Sequence, residues 1–315
     1  MTGPTSNPRF VYQWTDHGFF SEANHMLLAI LYCRLHGKQF VLSSRHAPVF
    51  PAKGWRDFFH PFGPETENPI LRFLDSRPLV PLRNLKARLS GLDKRVRRSL
   101  LRHVVQPLFY PGVDVLCRHW HAVRALRDQD TFVLPTDGVP RQYSLREALH
   151  SINNQVWRYN DQTGAAIDAS IAGLALPQRY AALHIRRGDV HTFAERIDEV
   201  RYVERLEHVT SLQDVYVATD DVRAVETIRR LRPRWRVWSL CPATMRGYFP
   251  KDYDSQPREE RGRRTLLLLT ETEVMRRAEV FVGTFSSGIG TYQGIARTQQ
   301  TSGVDVEQWR FEGCT

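Results

Sequence analysis

Residues 180–189 read Tyr-Ala-Ala-Leu-His-Ile-Arg-Arg-Gly-Asp. A short run typical of a buried strand, 180–185, leads directly into two arginines, a glycine that permits a tight turn and a carboxylate. Guanidinium groups form bidentate hydrogen bonds with phosphate oxygens, so Arg186 and Arg187 suit a pyrophosphate. Because side chains alternate along a strand, we expect one arginine to contact a ligand and the other to form a structural pair. The alternative is two surface arginines beside a β-turn.

Strand and helix patterns alternate after this stretch and predict a parallel, doubly wound sheet. Strand patterns cover 214–218, 236–240 and 280–282, and helical patterns cover 222–231 and 265–277. The N-terminal segment 10–42 has a βαβ pattern, with Gly37 as its helix-stop signal. One long helical pattern, 145–175, lies between the halves. The predicted fold is therefore α/β, with two domains, 1–150 and 151–315, that face each other across a cleft.

Two further polar clusters follow strands of the second half. In Ala218-Thr-Asp-Asp221, the aspartates Asp220 and Asp221 either contribute to a ligand site or cap the next helix. Residues 283–290, Gly-Thr-Phe-Ser-Ser-Gly-Ile-Gly, lead from a strand into a predicted helix, where hydroxyls and backbone N–H groups can bind an anion. No P-loop lysine and no GxGxxG spacing accompany them. Ligands of open α/β sheets bind beyond the carboxyl ends of the strands, so the three clusters predict one site there.

Charge limits the classes of partner. The chain has 315 residues, with 44 Lys and Arg against 34 Asp and Glu, a formal charge of +10. This balance fits nucleic acid, an anionic membrane surface or a small polyanion such as a nucleoside diphosphate conjugate. The hypothesis of nucleic-acid binding rests on charge alone, because the sequence contains no nucleic-acid-binding motif. A basic block between Arg83 and Arg102 either faces an anionic partner or forms a solvated helix face.

Other chemistries and locations have little support. The four cysteines lie far apart, which favours a reducing compartment and no structural metal. His119 and His121 lack a further ligand at a zinc spacing, and no G-x-S-x-G motif suggests a serine hydrolase. The N-terminus lacks a signal-peptide pattern, and no apolar run approaches the roughly 20 residues that span a bilayer. We therefore expect a soluble, cytoplasmic protein.

In order and spacing, the three strand-end motifs resemble those of inverting GDP-fucose fucosyltransferases, above all the α1,6-fucosyltransferases and the rhizobial nodulation fucosyltransferases. Residues 184–189 are similar to H-x-R-R-x-D, 215–221 to V-Y-x-A-T-D-D and 281–287 to F-x-x-T-F-S-S. The resemblance covers most of the chain. It implies a GT-B-like fold of two facing Rossmann-like domains, the first on the acceptor side and the second holding GDP-fucose. It also implies that no metal is required and that a glycan or glycolipid is the acceptor.

The resemblance further implies roles for single residues. Arg186 matches the arginine that binds the β-phosphate, and Ser287, with Ser286 beside it, matches the hydroxyl at the pyrophosphate. His184 and Glu271 would lie near the nucleoside, with Glu271 in place of a family aspartate. The full predicted donor set is His184, Arg186, Arg187, Asp220, Asp221, Glu271, Thr284, Ser286 and Ser287.

The acceptor side departs from the family pattern. Asp189 matches the signature aspartate, but the positions of an acceptor-side lysine and glutamate hold Val190 and Ala194, and Glu195 lies one position further on. The predicted catalytic residues are Arg186, Asp189 and Glu195, and the general base is left between the two carboxylates. A different acceptor is expected.

Four alternatives stay open. The chain could transfer another nucleotide-linked sugar, or bind a glycan or polyanion without catalysis. The basic block could contact an anionic membrane. Residues 248–254, Tyr-Phe-Pro-Lys-Asp-Tyr-Asp, form either a loop over the cleft or a plain surface loop.

Overall fold

The computed structural model describes residues 8–15, 18–67, 113–136, 139–188, 196–249, 252–253 and 255–311. By contact, the chain divides into two compact units. One consists of the described parts of 1–15, 26–46 and 61–152, and the other of the described parts of 16–25, 47–60 and 153–315. The basic block at 83–102 lies outside the described residues.

The first unit contains a small parallel sheet. Its elements are β1 (Arg9–Gln13), α1 (Phe19–Leu35, from residue 26 onward), β2 (Gln39–Ser43), β3 (Val113–Val115), α2 (Leu116–Ala125), the antiparallel hairpin β4 (Thr131–Thr136) and β5 (Val139–Ser144), and α3 (Leu145–Val156, through 152). The sheet order is β2-β1-β3. Gly37, at φ 60°, follows the end of α1, as the predicted helix-stop signal requires.

The second unit is built on a five-stranded parallel sheet. Its elements are α4 (Asp161–Gly173), β6 (Ala181–Ile185), α5 (Glu199–Val209), β7 (Asp214–Thr219), α6 (Val222–Leu231), β8 (Arg236–Trp238), α7 (Arg258–Arg277), β9 (Val280–Gly283), α8 (Gly288–Ala296) and β10 (Gln300–Gly303). The sheet order is β10-β9-β6-β7-β8. Every residue of β6 is buried, because helices cover both faces of the sheet.

Alternation along the strands sorts the apolar side chains into two layers. Leu183 and Val217 belong to the layer that includes residues of α5 and α6. Ala182 and Tyr216 belong to the opposite layer, which includes residues of α7. His184 is two residues beyond Ala182, so its side chain lies on the α7 side of the sheet. A ligand that contacts the His184 side chain would therefore lie on the α7 side of the sheet.

The strand order creates a topological switch point. The chain runs from β6 to β7 and β8 in one direction, then returns to the other side of β6 with β9 and β10. Reversal of this kind leaves a crevice beyond the carboxyl ends of the two strands where it occurs, here β6 and β9. The arginine motif follows β6 and the T-F-S-S motif follows β9, so the fold brings both to the same edge.

Several features of the fold differ from the sequence prediction. The single helix expected over 145–175 is wrong, because Trp157–Asn160 separate α3 from α4. The Asn160 side chain caps α4 by accepting the Thr163 N–H at 2.9 Å, and its own N–H bonds to the Phe58 carbonyl. Helix α7 begins at Arg258, seven residues before the predicted start at 265. The β4–β5 hairpin and β10 were not predicted. No helix in the described part of the chain is long and apolar enough to cross a membrane.

Candidate functional site

The two arginines after β6 have different environments. Arg187 is buried, and its guanidinium binds the Glu199 carboxylate at 2.9 Å through Nε and 2.7 Å through Nη2. Glu199 begins α5 and is buried as well. Arg186 is half-buried, with its guanidinium carbon 6.0 Å from the centroid of the Tyr248 ring. The expectation that one arginine forms a structural pair is confirmed for Arg187, and Arg186 is the candidate for ligand contact.

Asp220 organises the arginine turn from the neighbouring strand. Its carboxylate accepts the backbone N–H of Arg187 at 2.7 Å, of Gly188 at 2.9 Å and of Tyr248 at 3.0 Å. A carboxylate that binds three N–H groups holds their segments firmly, since charge-assisted hydrogen bonds are stronger than neutral ones. Asp220 thus joins the end of β6 to the segment that follows β8.

Asp221 caps α6. Its carboxylate accepts the Arg223 N–H at 3.0 Å, and the Arg223 guanidinium pairs with it as well. Backbone and side-chain hydrogen bonds from Arg223 lower the pKa of Asp221. The capping alternative is therefore confirmed, and both polar functions of this side chain are used within the α6 terminus.

The segment around Tyr248 fits closely against the arginine turn. A Cβ on Gly188 would lie 2.1 Å from the Tyr248 carbonyl oxygen and 2.3 Å from its nitrogen. Gly247 adopts φ 117°, a conformation that favours glycine, and its N–H bonds to the Asp220 carbonyl at 2.6 Å. Two glycines therefore allow the two backbones to touch, and this contact places Tyr248 beside Arg186.

The T-F-S-S loop between β9 and α8 is held by internal bonds. Ser287 caps α8: its Oγ accepts the Gly290 N–H at 3.0 Å and donates to the Thr284 carbonyl at 2.8 Å. The backbone N–H groups of Phe285 and Ser286 bond to Asp305, at 2.9 and 2.8 Å. Since the Ser287 hydroxyl has these internal roles, the half-buried Thr284 and Ser286 are the loop's better candidates for ligand contact.

Two buried polar atoms lie close to these loops. His184 Nδ1 and Glu271 Oε1 are shielded from solvent and form no close hydrogen bond with the described residues; the Tyr216 hydroxyl, also buried without such a bond, lies near Glu271. His184 ends β6, and Glu271 lies on α7, on the same side of the sheet. Burying such atoms without a partner is costly, so they are candidates for binding a ligand.

The electrostatics connect these groups. Burial, helped by the nearby charge of Arg186 and opposed by that of Asp220, lowers the pKa of His184 to about 4. Burial raises the pKa of Glu271 to about 8, with the charge of Asp220 adding to the effect and the Tyr216 hydroxyl opposing it. Near neutral pH the imidazole is therefore uncharged, and Glu271 is largely protonated until a partner favours its ionised form.

Several predicted residues lie elsewhere. Asp189 and Glu195 are outside the described residues. The side chain of His119 is also outside them, and no group of three His, Cys, Asp or Glu suited to a metal ion is found in the part of the chain that the structure describes. A surface cavity of about 320 Å³ lies between α5 and residues 303–307, and Asp305, which binds the T-F-S-S loop, is among its lining residues. Its charged lining mixes both signs: Arg201, Glu204, Arg205, His208, Asp305 and Glu307.

The sequence of the chain has no near match among known families, but solved structures share its fold. No protein-family model and no curated protein matches the chain. NodZ α1,6-fucosyltransferase soaked with GDP-fucose is 15% identical over 92% of this chain and 93% of its own, with a TM-score of 0.53. Fucosyltransferase NodZ from Bradyrhizobium is 14% identical over 91% and 92%, with a TM-score of 0.52. A mutant of Arabidopsis thaliana FUT1 in complex with GDP is 10% identical over 95% and 71%, with a TM-score of 0.54.

These structures share a fold with the chain. They confirm the predicted α/β, GT-B-like fold class. The resemblance carried by the strand-end motifs is confirmed at the level of the fold.

Proposed function

We propose that the chain is a glycosyltransferase that transfers fucose from GDP-fucose to a hydroxyl of a glycan or glycolipid, with inversion and without a metal. The observation that carries the proposal is the set of groups at the switch point: Arg186 beside two buried, unpartnered polar atoms of His184 and Glu271. The shared fold with proteins solved with GDP or GDP-fucose supports the same assignment.

Glu271 suits the guanine base. Guanine offers two donors side by side, its N1–H and its exocyclic amino group, and a buried carboxylate oxygen without a partner is the complementary acceptor. Such a site rejects bases that lack these donors, because an unpaired buried carboxylate is costly. We assign His184, neutral and with Nδ1 unpartnered, to a hydrogen bond with the sugar of the nucleoside.

Arg186 suits the β-phosphate. Departure of GDP from the sugar builds negative charge on this phosphate, and a fixed guanidinium stabilises that charge where it develops. Thr284 and Ser286 supply hydroxyls from the other side of the crevice. The remaining predicted donor residues, Arg187, Asp220, Asp221 and Ser287, bond within the protein, and we assign them to holding the loops.

The assignment of the acceptor site rests on the family resemblance alone. We assign it to the first unit, and we leave the general base with Asp189 or Glu195. Either carboxylate could remove the proton of the acceptor hydroxyl in a single displacement, provided that it reaches hydrogen-bond distance of that oxygen. Of the variants Asp189→Asn and Glu195→Gln, the one that removes the base should abolish transfer while leaving GDP binding intact.

Calorimetry with GDP, in the presence of EDTA, tests the donor site directly. We expect wild type to bind and Arg186→Ala to lose about 2–3 kcal/mol of binding free energy, roughly 30- to 150-fold in affinity. Arg236→Ala is the matched control, because Arg236 forms a surface pair with Asp214 at the other end of the sheet. No GDP binding in wild type, or equal affinity in Arg186→Ala, would refute the donor assignment.

Turnover of the donor separates the remaining alternatives. Hydrolysis or transfer from GDP-fucose, but not from GDP-mannose or UDP-sugars, is the expected result. Preference for another nucleotide sugar would replace fucose in the proposal. GDP binding without turnover of any donor, accompanied by salt-sensitive binding of polyanions, would favour a non-catalytic protein.

A further inference from the structure

The C-terminal residues 303–311, which we call the C-terminal strap, lie along the loop and helix that follow β9. Val304 donates its N–H to the Gly283 carbonyl at 2.9 Å, and Trp309 Nε1 donates to the Thr291 carbonyl at 3.1 Å. A Cβ on Gly294 would lie 1.9 Å from the Trp309 ring, so the indole rests directly on α8. The strap therefore contacts the whole turn from β9 to α8.

Asp305 is the member of the strap that binds the T-F-S-S loop. One carboxylate oxygen accepts the Phe285 N–H at 2.9 Å and the Val306 N–H at 2.9 Å, and the other accepts the Ser286 N–H at 2.8 Å. The loop is short and lies between a strand end and a helix start. Without Asp305, the N–H groups of Phe285 and Ser286 would have no partner in the described structure, and the loop would lose its fixed conformation.

The same arrangement occurs on the other side of the switch point. Asp220, at the end of β7, binds the N–H groups of Arg187 and Gly188 in the loop after β6. Asp305, just after β10, binds two N–H groups in the loop after β9. Strands β6 and β9 are neighbours, and β7 and β10 are their outer neighbours. Each loop that borders the crevice is thus held by a carboxylate from the adjacent outer strand.

We propose that Asp305 is a positioning residue of the donor site, one that acts through the T-F-S-S loop and does not touch the ligand. The inference rests on the proposed GDP-sugar function. It assigns to Asp305 the task of fixing Thr284 and Ser286 relative to Arg186, so that hydroxyls and guanidinium meet the pyrophosphate together.

Asp305→Asn is the sharpest substitution. Asparagine keeps the size of the side chain, but one of its two polar atoms becomes an amide NH₂ group, which cannot accept from a backbone N–H. One loop N–H then faces a donor. The matched control is Trp309→Phe, which removes the Thr291 hydrogen bond from the same strap and leaves the Asp305 contacts in place.

The experiment compares the affinities for GDP and for guanosine. A positioning role predicts that Asp305→Asn loses about tenfold or more in GDP affinity but at most about twofold in guanosine affinity. In Trp309→Phe the ratio of the two affinities should equal that of wild type, even if the unfolding temperature falls. An unchanged ratio in Asp305→Asn, or an equal change of ratio in both variants, would overturn the inference.

Amide hydrogen exchange supplies a readout that needs no ligand. Exchange at Phe285 and Ser286 should accelerate about tenfold or more in Asp305→Asn and stay at the wild-type rate in Trp309→Phe. Equal protection in all three proteins would show that Asp305 does not hold the loop. Failure of wild type to bind GDP would instead refute the proposed function, so the two failures can be told apart.

Discussion

Glu271 provides a test of the nucleobase assignment, because its ionisation should be coupled to GDP binding. Burial and the charge of Asp220 raise the pKa of Glu271 to about 8. The guanine N1–H and amino group need an acceptor, so the bound base favours the carboxylate and lowers this pKa. Below pH 8, binding must therefore release a proton from Glu271, and affinity must fall as the pH falls.

The magnitude follows from the pKa. At pH 7 a group with a pKa of about 8 is about 90% protonated, so each bound GDP should release about 0.9 proton from Glu271. The affinity should fall about fivefold from pH 8 to pH 7 and about ninefold from pH 7 to pH 6, about 50-fold in all, as long as the bound pKa lies well below 6.

Calorimetry at pH 7 in two buffers with different ionisation enthalpies measures this proton release. Glu271→Gln is the control, since its amide does not titrate while the phosphates of GDP titrate as in wild type. The variant should also lose about 2 kcal/mol of affinity at pH 8, roughly 30-fold, and discriminate less between GDP and inosine diphosphate, which lacks the amino group. Equal proton release by wild type and Glu271→Gln would refute the placement of guanine at this carboxylate.

Two further substitutions test the loop supports. Arg187→Met should lower the free energy of unfolding by about 3 kcal/mol, because it leaves the buried Glu199 with only the exposed Arg196, at 3.7 Å. Arg179→Met breaks an exposed pair and should change the unfolding temperature little, so equal unfolding temperatures for the two variants would contradict this. Gly188→Ala should weaken GDP binding about tenfold or more, because its Cβ would overlap the Tyr248 backbone, whereas Gly164→Ala, in open space on α4, should bind as wild type in the same titration.

Much of the second unit could be predicted because its strands have unambiguous patterns. Strands β6 and β7 are buried on both faces and mostly apolar, and the polar residues that follow them mark the carboxyl ends where ligands of such sheets bind. That one of the two arginines forms a structural pair also followed from strand alternation. What alternation could not supply was the identity of the partner, since Glu199 becomes adjacent to Arg187 only after α5 has docked.

The missed elements have local physical reasons. Asn160 and Asp161 are a helix-start signal within the single helical pattern over 145–175, and Asn160 does begin α4 by accepting the Thr163 N–H. Strand β10, Gln300–Gly303, consists of polar and small residues, so hydrophobic periodicity could not identify it. Asp305 was missed for the same reason: its role depends on a parallel pairing of β10 with β9 that carries almost no signal in the sequence.

Net charge is a poor guide to how this site would hold a pyrophosphate. The +10 of the chain suggests a surplus of cations, yet the buried Arg187 is neutralised by Glu199, and two carboxylates, Asp220 and Asp305, lie directly behind the candidate phosphate loops. Those carboxylates accept hydrogen bonds from backbone N–H groups, which fixes the loops but adds no attraction for an anion. Selectivity for a pyrophosphate must then come from the direction of one guanidinium and a few hydroxyls, held in place before the ligand arrives. A loosened loop should therefore cost affinity even though no charge at the ligand has changed.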